Sequence, residues 1–198
     1  MEPRAGPLVA EPDGHRAMSS AASIVVRAAV AADVPAIAAI YAHHVAAGTA
    51  SFELEAPSVD EMRRRHAAAV AGGYPYFVAA DAKGRVIGYA YAGAYRTRAA
   101  YHHTVENSVY VEAGAGGHGV GSALLAVLIA ACTDRGFRQM IAIIVGADNV
   151  ASIGLHRAHG FVEAGVLRDV GRKHDRWLDT VLMQRPLGEG ASSSPARK

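Results

Sequence analysis

Two features in the middle of the chain could do chemistry together. Glu106 lies in Val105-Glu106-Asn107-Ser108-Val109-Tyr110-Val111, a β-branched and aromatic run that reads as a strand. Gly116-Gly117-His118-Gly119-Val120-Gly121-Ser122 follows and opens into the apolar run Ala123-Leu124-Leu125. A glycine turn ahead of a helix makes an anion site: the first backbone N–H groups of a helix have no intrahelical acceptor, and the helix dipole adds partial positive charge. The order Gly119-x-Gly121-Ser122 is not a nucleoside triphosphate loop, because no lysine follows the last glycine, nor is it Gly-x-Gly-x-x-Gly. It reads as a diphosphate cradle with a carboxylate upstream on the strand that feeds it. The plainer alternatives are an ordinary tight turn and a glutamate neutralised by a neighbouring base.

Other polar residues could join this pair. Asn149 stands where a helix begins, so its side chain could cap that helix; with Ser152 it could also hydrogen-bond a ligand rich in amides. His156, one turn beyond Ser152, is either a proton carrier or a packed helix histidine. Arg96 and Arg98 precede the Glu106 strand; their guanidinium forks suit a carboxylate or phosphinate, and a solvated loop explains them equally well. The pairs His43-His44 and His102-His103 do not read as metal ligands. Adjacent side chains do not face one another on a strand or on a helix, and no carboxylate or cysteine joins them at ligand spacing.

The elements that must position these residues follow from period and punctuation. Strands are expected over 23–27, 76–80, 86–92, 104–111, 140–145, 161–167 and 176–183. A helix capped by Asp33 runs to Gly48, with Pro35 in its first turn. Ser58-Val59-Asp60-Glu61 starts a second helix as a capping box, and Gly72-Gly73 ends it. The cradle helix runs through Cys132 to a cap at Gly136, and a fourth helix runs from Asp148 or Asn149 to His159-Gly160. The order is β-α-α-β-β-β-α-β-α-β-β: an α/β (α+β) chain, a mixed central sheet with helices on both faces. The strand before the cradle and the strand after its helix should lie side by side, and a ligand would enter where they diverge.

Composition narrows the classes. Of 198 residues, 51% are hydrophobic and 19% charged, enough for a full core and against global disorder. A net charge of +2 is too small to argue for nucleic acid. The single cysteine, Cys132, excludes an internal disulfide and sits in an apolar helical run, so it reads as buried and inert. No apolar run is long enough to span a bilayer, and the first residues lack the basic start and apolar stretch of a signal peptide. The expectation is a cytoplasmic protein with no membrane and no nucleic-acid partner.

Taken in order, several short motifs share one pattern. They are Thr49-Ala50-Ser51-Phe52-Glu53, Gly88-Tyr89-Ala90-Tyr91, Thr104 with the Glu106 run, Gly119-Val120-Gly121, and Asn149-Val150-Ala151-Ser152-Ile153-Gly154-Leu155-His156. His159-Gly160-Phe161, Val170-Gly171-Arg172-Lys173 and Arg176-Trp177-Leu178-Asp179 complete it. Each motif is weak alone; their order and spacing resemble the GNAT superfamily of N-acetyltransferases, and within it the phosphinothricin and methionine sulfoximine/methionine sulfone N-acetyltransferase family. The resemblance implies the GNAT acyl-CoA N-acyltransferase fold over residues 23–187, between an N-terminal extension (1–22) and a flexible C-terminal tail (188–198).

It also implies acetyl transfer from acetyl-CoA, without a metal, to the α-amino group of a small amino-acid analogue, by direct attack in a ternary complex. Glu106 would take the amine's proton, directly or through a water, and His156 would protonate the leaving thiolate or orient the substrate. Backbone N–H groups at Val109, Tyr110 and Val111 would hold the thioester carbonyl. The diphosphate would lie on Gly116, Gly117, His118, Gly119, Val120, Gly121 and Ser122, and the pantetheine arm against Asn149 and Ser152. Phe52, Tyr95, Arg96, Thr97, Arg98, Val105, Asn107 and Lys173 would bind the acceptor. A homodimer is a family expectation. The chain departs from the family at Gly116, where Gln or Arg is usual, and at His174-Asp175, where an aromatic and a glycine are usual. Two other readings stand beside this one: a protein or peptide Nα-acetyltransferase with an open groove, and a non-catalytic acyl-CoA-sensing module.

Overall fold

The computed structural model describes residues 24–195. The element order is β1 (Val25–Ala28), α1 (Val34–Ala47), α2 (Val59–Ala71), β2 (Tyr76–Ala80), β3 (Val86–Ala94), β4 (Thr104–Val111), α3 (Val120–Asp134), β5 (Gln139–Val145), α4 (Val150–Ala158), β6 (Val162–Lys173) and β7 (Arg176–Pro186). Short 3-10 turns at Ala31–Asp33 and Ala99–Tyr101 are added to the order read from the sequence. The strands form one mixed sheet in the order β1-β2-β3-β4-β5-β7-β6. The expected extension over 1–22 lies outside the described residues.

Each face of the sheet carries its own core. On one face α3 packs Leu124, Leu125, Leu128 and Cys132 against Ala90, Val105, Met140 and Met183. On the other, α1 and α2 pack Ile37, Tyr41, Val45 and Met62 against Tyr76, Val78 and Tyr89. β4 serves both because its side chains alternate: Val105, Val109 and Val111 pack toward α3, and Tyr110 toward α1. Burying a Leu or Val fully stabilises the fold by about 1.5–3 kcal/mol, so these two layers fix which way every β4 residue points.

Several ends form as the sequence implied. Ser58 Oγ accepts from the Glu61 N–H at 3.2 Å, and α3 closes with Phe137 N–H bonded to Cys132 O at 3.1 Å beyond Gly136. Asp33 differs. Its carboxylate does not cap α1 but accepts from Val30 N–H at 2.9 Å and takes a two-pronged ion pair from Arg27 at 2.7 Å. A carboxylate gains more from a guanidinium fork than from one amide, so it turns back to β1. β6 runs to Lys173, beyond the expected end at 167, because register shifts at Glu163/Gly165 and Leu167/Gly171 break the alternation that marks a strand. Residues 188–195, read as a loose tail, fold back in part: Arg138 bonds Glu189, Ser193 and the carbonyls of Gly190 and Ser194.

Candidate active site

The site begins where two strands part. β4 and β5 pair in parallel only from Thr104↔Gln139 to Asn107↔Ala142, and their remaining residues splay. The free edge of β4 can be counted. Glu112 N–H bonds Ile87 O on β3 at 2.9 Å, and the β3–β4 register is unbroken, so peptide groups of alternate residues from Glu106 to Glu112 face β3. Those of Asn107, Val109 and Val111 face β5. Past Asn107 no strand answers them. Val109 and Val111 therefore turn their N–H groups into the gap, whereas the Tyr110 amide is spent on β3. The expected trio of donors reduces to two. The Val111 carbonyl in the same gap accepts from His44 Nε2 at 2.8 Å, and the His44 ring lies 5.4 Å from that of Tyr110. His44 was legible only as half of a histidine pair.

The gap is the floor of a cleft of about 620 Å³. Its walls include Ser108 and Tyr110 from the α1 side of β4, and Asn107, Val109 and Val111 from the α3 side. The cleft thus passes through the sheet and joins its two faces.

On the α3 side stands the glycine cradle. Gly119 caps α3 in the left-handed region, φ 83° and ψ −2°, which an L side chain adopts only with strain. The first helical bond is Ala123 N–H to Gly119 O at 2.9 Å, so the amides of Val120, Gly121 and Ser122 have no intrahelical acceptor. Gly116, Gly117, Gly119, Val120, Gly121 and Ser122 line the cleft; His118 does not. Ser122 Oγ is hydrogen-bonded to His159 Nε2 at 2.8 Å, a contact no sequence signal announced.

Asn149 does what a helix cap does: its Oδ1 accepts from Ser152 N–H at 3.2 Å, which leaves its amide donors for the cleft. His156 is buried with each ring nitrogen beside a protein oxygen, and a neutral imidazole, the form burial favours, donates to one of the two. Nε2 lies 2.9 Å from Asn107 Oδ1, and Nδ1 lies 2.8 Å from Ser152 O. Asn107 Nδ2 donates to Ile141 O at 3.2 Å, so its Oδ1 is the atom left for the imidazole. Burial lowers the His156 pKa, and the bond to Ser152 O pulls the other way.

Glu106 points to the opposite face from Asn107, as neighbours on a strand must. It is half-buried, does not line the cleft, and stands one pleat repeat, about 7 Å, from Ser108, which does. Burial raises its carboxyl pKa above the usual range, partly offset by the Arg96 charge. No hydrogen bond to its carboxylate contributes to that balance.

The acceptor residues expected from the sequence separate into three groups. Phe52 and Lys173 meet at the 49–53 loop: Lys173 is buried with Nζ 2.9 Å from Ser51 O, and a Cβ on Gly171 would overlap the Phe52 ring. Burial lowers the Lys173 pKa, and Glu53 raises it. Ser51 ties the loop to α1 through Tyr41, Oη to Oγ 2.8 Å. Arg96 stacks over Tyr95 at 4.8 Å, and Thr97 and Arg98 are exposed beside it. Val105 and Asn107 stand apart from both: their side chains face α3 and His156, because alternation places them on the face opposite Glu106. Tyr41, His44, Ser51, Ser108, Leu155 and His159 join the site without having been singled out for it.

Among the described residues no group of three His, Cys, Asp or Glu is placed to hold a metal, and no helix is long and apolar enough to cross a membrane. Unspent amides at the start of α3, two free strand amides and a cleft through the sheet fit a long anionic thioester whose diphosphate, amide arm and acyl carbon need those three partners in turn.

Comparison with known proteins agrees. The profile of the acetyltransferase (GNAT) domain matches residues 26–182. The chain is 55% identical over 163 residues to the phosphinothricin N-acetyltransferase of Alcaligenes faecalis, covering 82% of each protein. It is 41% identical over 165 residues to the L-methionine sulfoximine/L-methionine sulfone acetyltransferase of Pseudomonas paraeruginosa, covering 83% of this chain and 95% of that one. The crystal structure of a GNAT superfamily phosphinothricin acetyltransferase from Sinorhizobium meliloti, in complex with AcCoA, superimposes with a TM-score of 0.86 at 50% identity, over 88% of this chain and 94% of that one. The split strands, the cradle and these matches together place the chain in the GNAT family of acetyl-CoA-dependent N-acetyltransferases.

Proposed function

We propose that the chain acetylates the α-amino group of a small amino-acid analogue, with phosphinothricin, methionine sulfoximine and methionine sulfone as the first acceptors to test. The observation that carries this is Glu106: a half-buried carboxylate without an ion pair among the described residues, on the face of β4 opposite Asn107, on the strand whose edge opens on the gap toward β5. The two relatives named for these acceptors support the substrate class.

An α-amine is mostly protonated at neutral pH and must lose a proton to attack. Glu106 takes that proton, directly or through one water, and its raised pKa makes it a better acceptor than an ordinary carboxylate. The neutral amine adds to the thioester carbonyl, and the N–H groups of Val109 and Val111 receive the oxyanion. The C–S bond then breaks, the thiolate leaves, and the proton lost from nitrogen neutralises it. Cys132 is buried in the core under α3, so attack is direct and no acyl-enzyme forms. His156 is buried with its ring nitrogens against Asn107 Oδ1 and Ser152 O, and its role is to hold Asn107 and the β4 edge in place. Arg96, exposed and near enough to act on Glu106, receives the acceptor's carboxylate or phosphinate.

The test is thiol release from acetyl-CoA with each analogue and with an alanine-initiated peptide. Turnover on the analogues, falling about 10²- to 10⁴-fold in Glu106→Gln, is the expected result. Turnover on the peptide alone would transfer the assignment to Nα-acetylation of polypeptides, and acetyl-CoA binding with no turnover of any amine would leave a sensing module.

A further inference from the structure

We propose that His159 is a positioning residue for coenzyme binding: it turns the Ser122 hydroxyl into a donor aimed at the diphosphate in the α3 cradle. The proposal rests on the reading of that cradle as the coenzyme's diphosphate site. Ser122 is the third residue of α3, beside amides that have no intrahelical acceptor, and it lines the cleft. Its Oγ lies 2.8 Å from His159 Nε2 at the C-terminal cap of α4. His159 lies outside the cleft lining, so it acts on a ligand only through Ser122.

A hydroxyl shared with an imidazole has two arrangements. In one, Ser122 O–H donates to Nε2, and the oxygen offers only lone pairs to the cradle. In the other, Nε2–H donates to Oγ, and the hydroxyl proton is free for a phosphate oxygen. An anion in the cradle selects the second, and protonation of His159 enforces it, because an imidazolium has no lone pair to accept with.

The surroundings bear on both states. Arg185 on β7 donates to the His159 carbonyl, fixing the end of α4, and its charge opposes protonation of the ring. His156, one turn back on α4, is the other titratable group coupled to it. From α3 the ring meets the Ser122 hydroxyl. Burial and Arg185 lower the His159 pKa, while the helix C-terminus favours the cation. Coenzyme binding should therefore tighten as pH falls below neutral.

The experiment is titration calorimetry on the full chain from about pH 5.5 to about pH 8, where histidine titrates. The probes are dephospho-CoA, which keeps the diphosphate but lacks the titrating 3′-phosphate, and S-acetylpantetheine, which lacks both. His159→Leu should weaken dephospho-CoA about three- to tenfold at low pH and flatten its pH dependence, leaving S-acetylpantetheine unchanged. His159→Gln, which keeps a donor but cannot titrate, should retain affinity and lose the pH dependence. Ser122→Ala should match His159→Leu, and the double variant should be no weaker than either. An equal loss on both probes, or a pH dependence that survives in His159→Gln, would overturn the role of His159. Failure of wild-type protein to bind dephospho-CoA any better than S-acetylpantetheine would instead overturn the cradle reading.

Discussion

The His156 imidazole Nε2 lies 2.9 Å from Asn107 Oδ1, bridging α4 to the last residue of β4 that still pairs with β5. The bond sits at the point where the two strands begin to part. Asn107 is then held from two sides, by His156 and by the Ile141 carbonyl at 3.2 Å.

Asn107→Leu leaves His156 Nε2 buried without its partner. The cost is about 1–3 kcal/mol of stability, read by urea denaturation. If the bond also holds the mouth of the split, kcat falls as well, and Asn107→Gln, longer by one methylene, does not restore it.

The pH dependence of kcat/KM reports Glu106. With the deprotonated carboxylate as the proposed base, activity should rise as pH rises through its pKa, which burial has moved up and Arg96 partly down. Arg96→Ala removes the offset and shifts the acid limb to higher pH. Stability carries the opposite sign. A carboxyl whose folded pKa is raised contributes stability below its unfolded value and loses it as pH climbs through the folded one. Glu106→Gln should therefore melt higher than wild type on the alkaline side of that limb and converge with it in acid, as followed by thermal denaturation.

Gly171 carries no side chain where the Phe52 ring lies. Gly171→Ala must displace that ring, which is partly exposed at 38% and so can swing rather than unfold the strand. The expected result in initial-rate assays is a rise of about tenfold in KM for the acceptor, with KM for acetyl-CoA unchanged. A matching rise in both would place Phe52 outside the acceptor wall.

The β6–β7 turn is strained by its own residues. His174 and Asp175 have φ of 49° and 56° between the paired residues Lys173 and Arg176, the backbone of a two-residue turn that prefers Asn-Gly. Asp175→Gly should stabilise the fold by about 0.5–1 kcal/mol, seen as a higher melting temperature.

Much of this protein is local and was legible in its residues. The order of helices and strands follows from period and punctuation, and the cradle from glycines ahead of an apolar helix. Locality also set the misreadings: Asp33 found a guanidinium six residues away rather than a helix end, and bulges hid the far half of β6.

What tertiary structure decided is which of two equivalent choices each element took. Alternation says that Val105 and Asn107 share a face, but only the helices packed on the sheet say that it is the α3 face. It says that β4 amides alternate between its edges, but only the β3 register and the early end of β5 pairing leave Val109 and Val111 free while Tyr110 is spent. His44, Ser51 and His159 reached the site from segments remote in sequence. A hydrogen bond across 37 residues, such as Ser122 to His159, leaves no trace in either neighbourhood, because nothing local to a histidine specifies the hydroxyl it will meet.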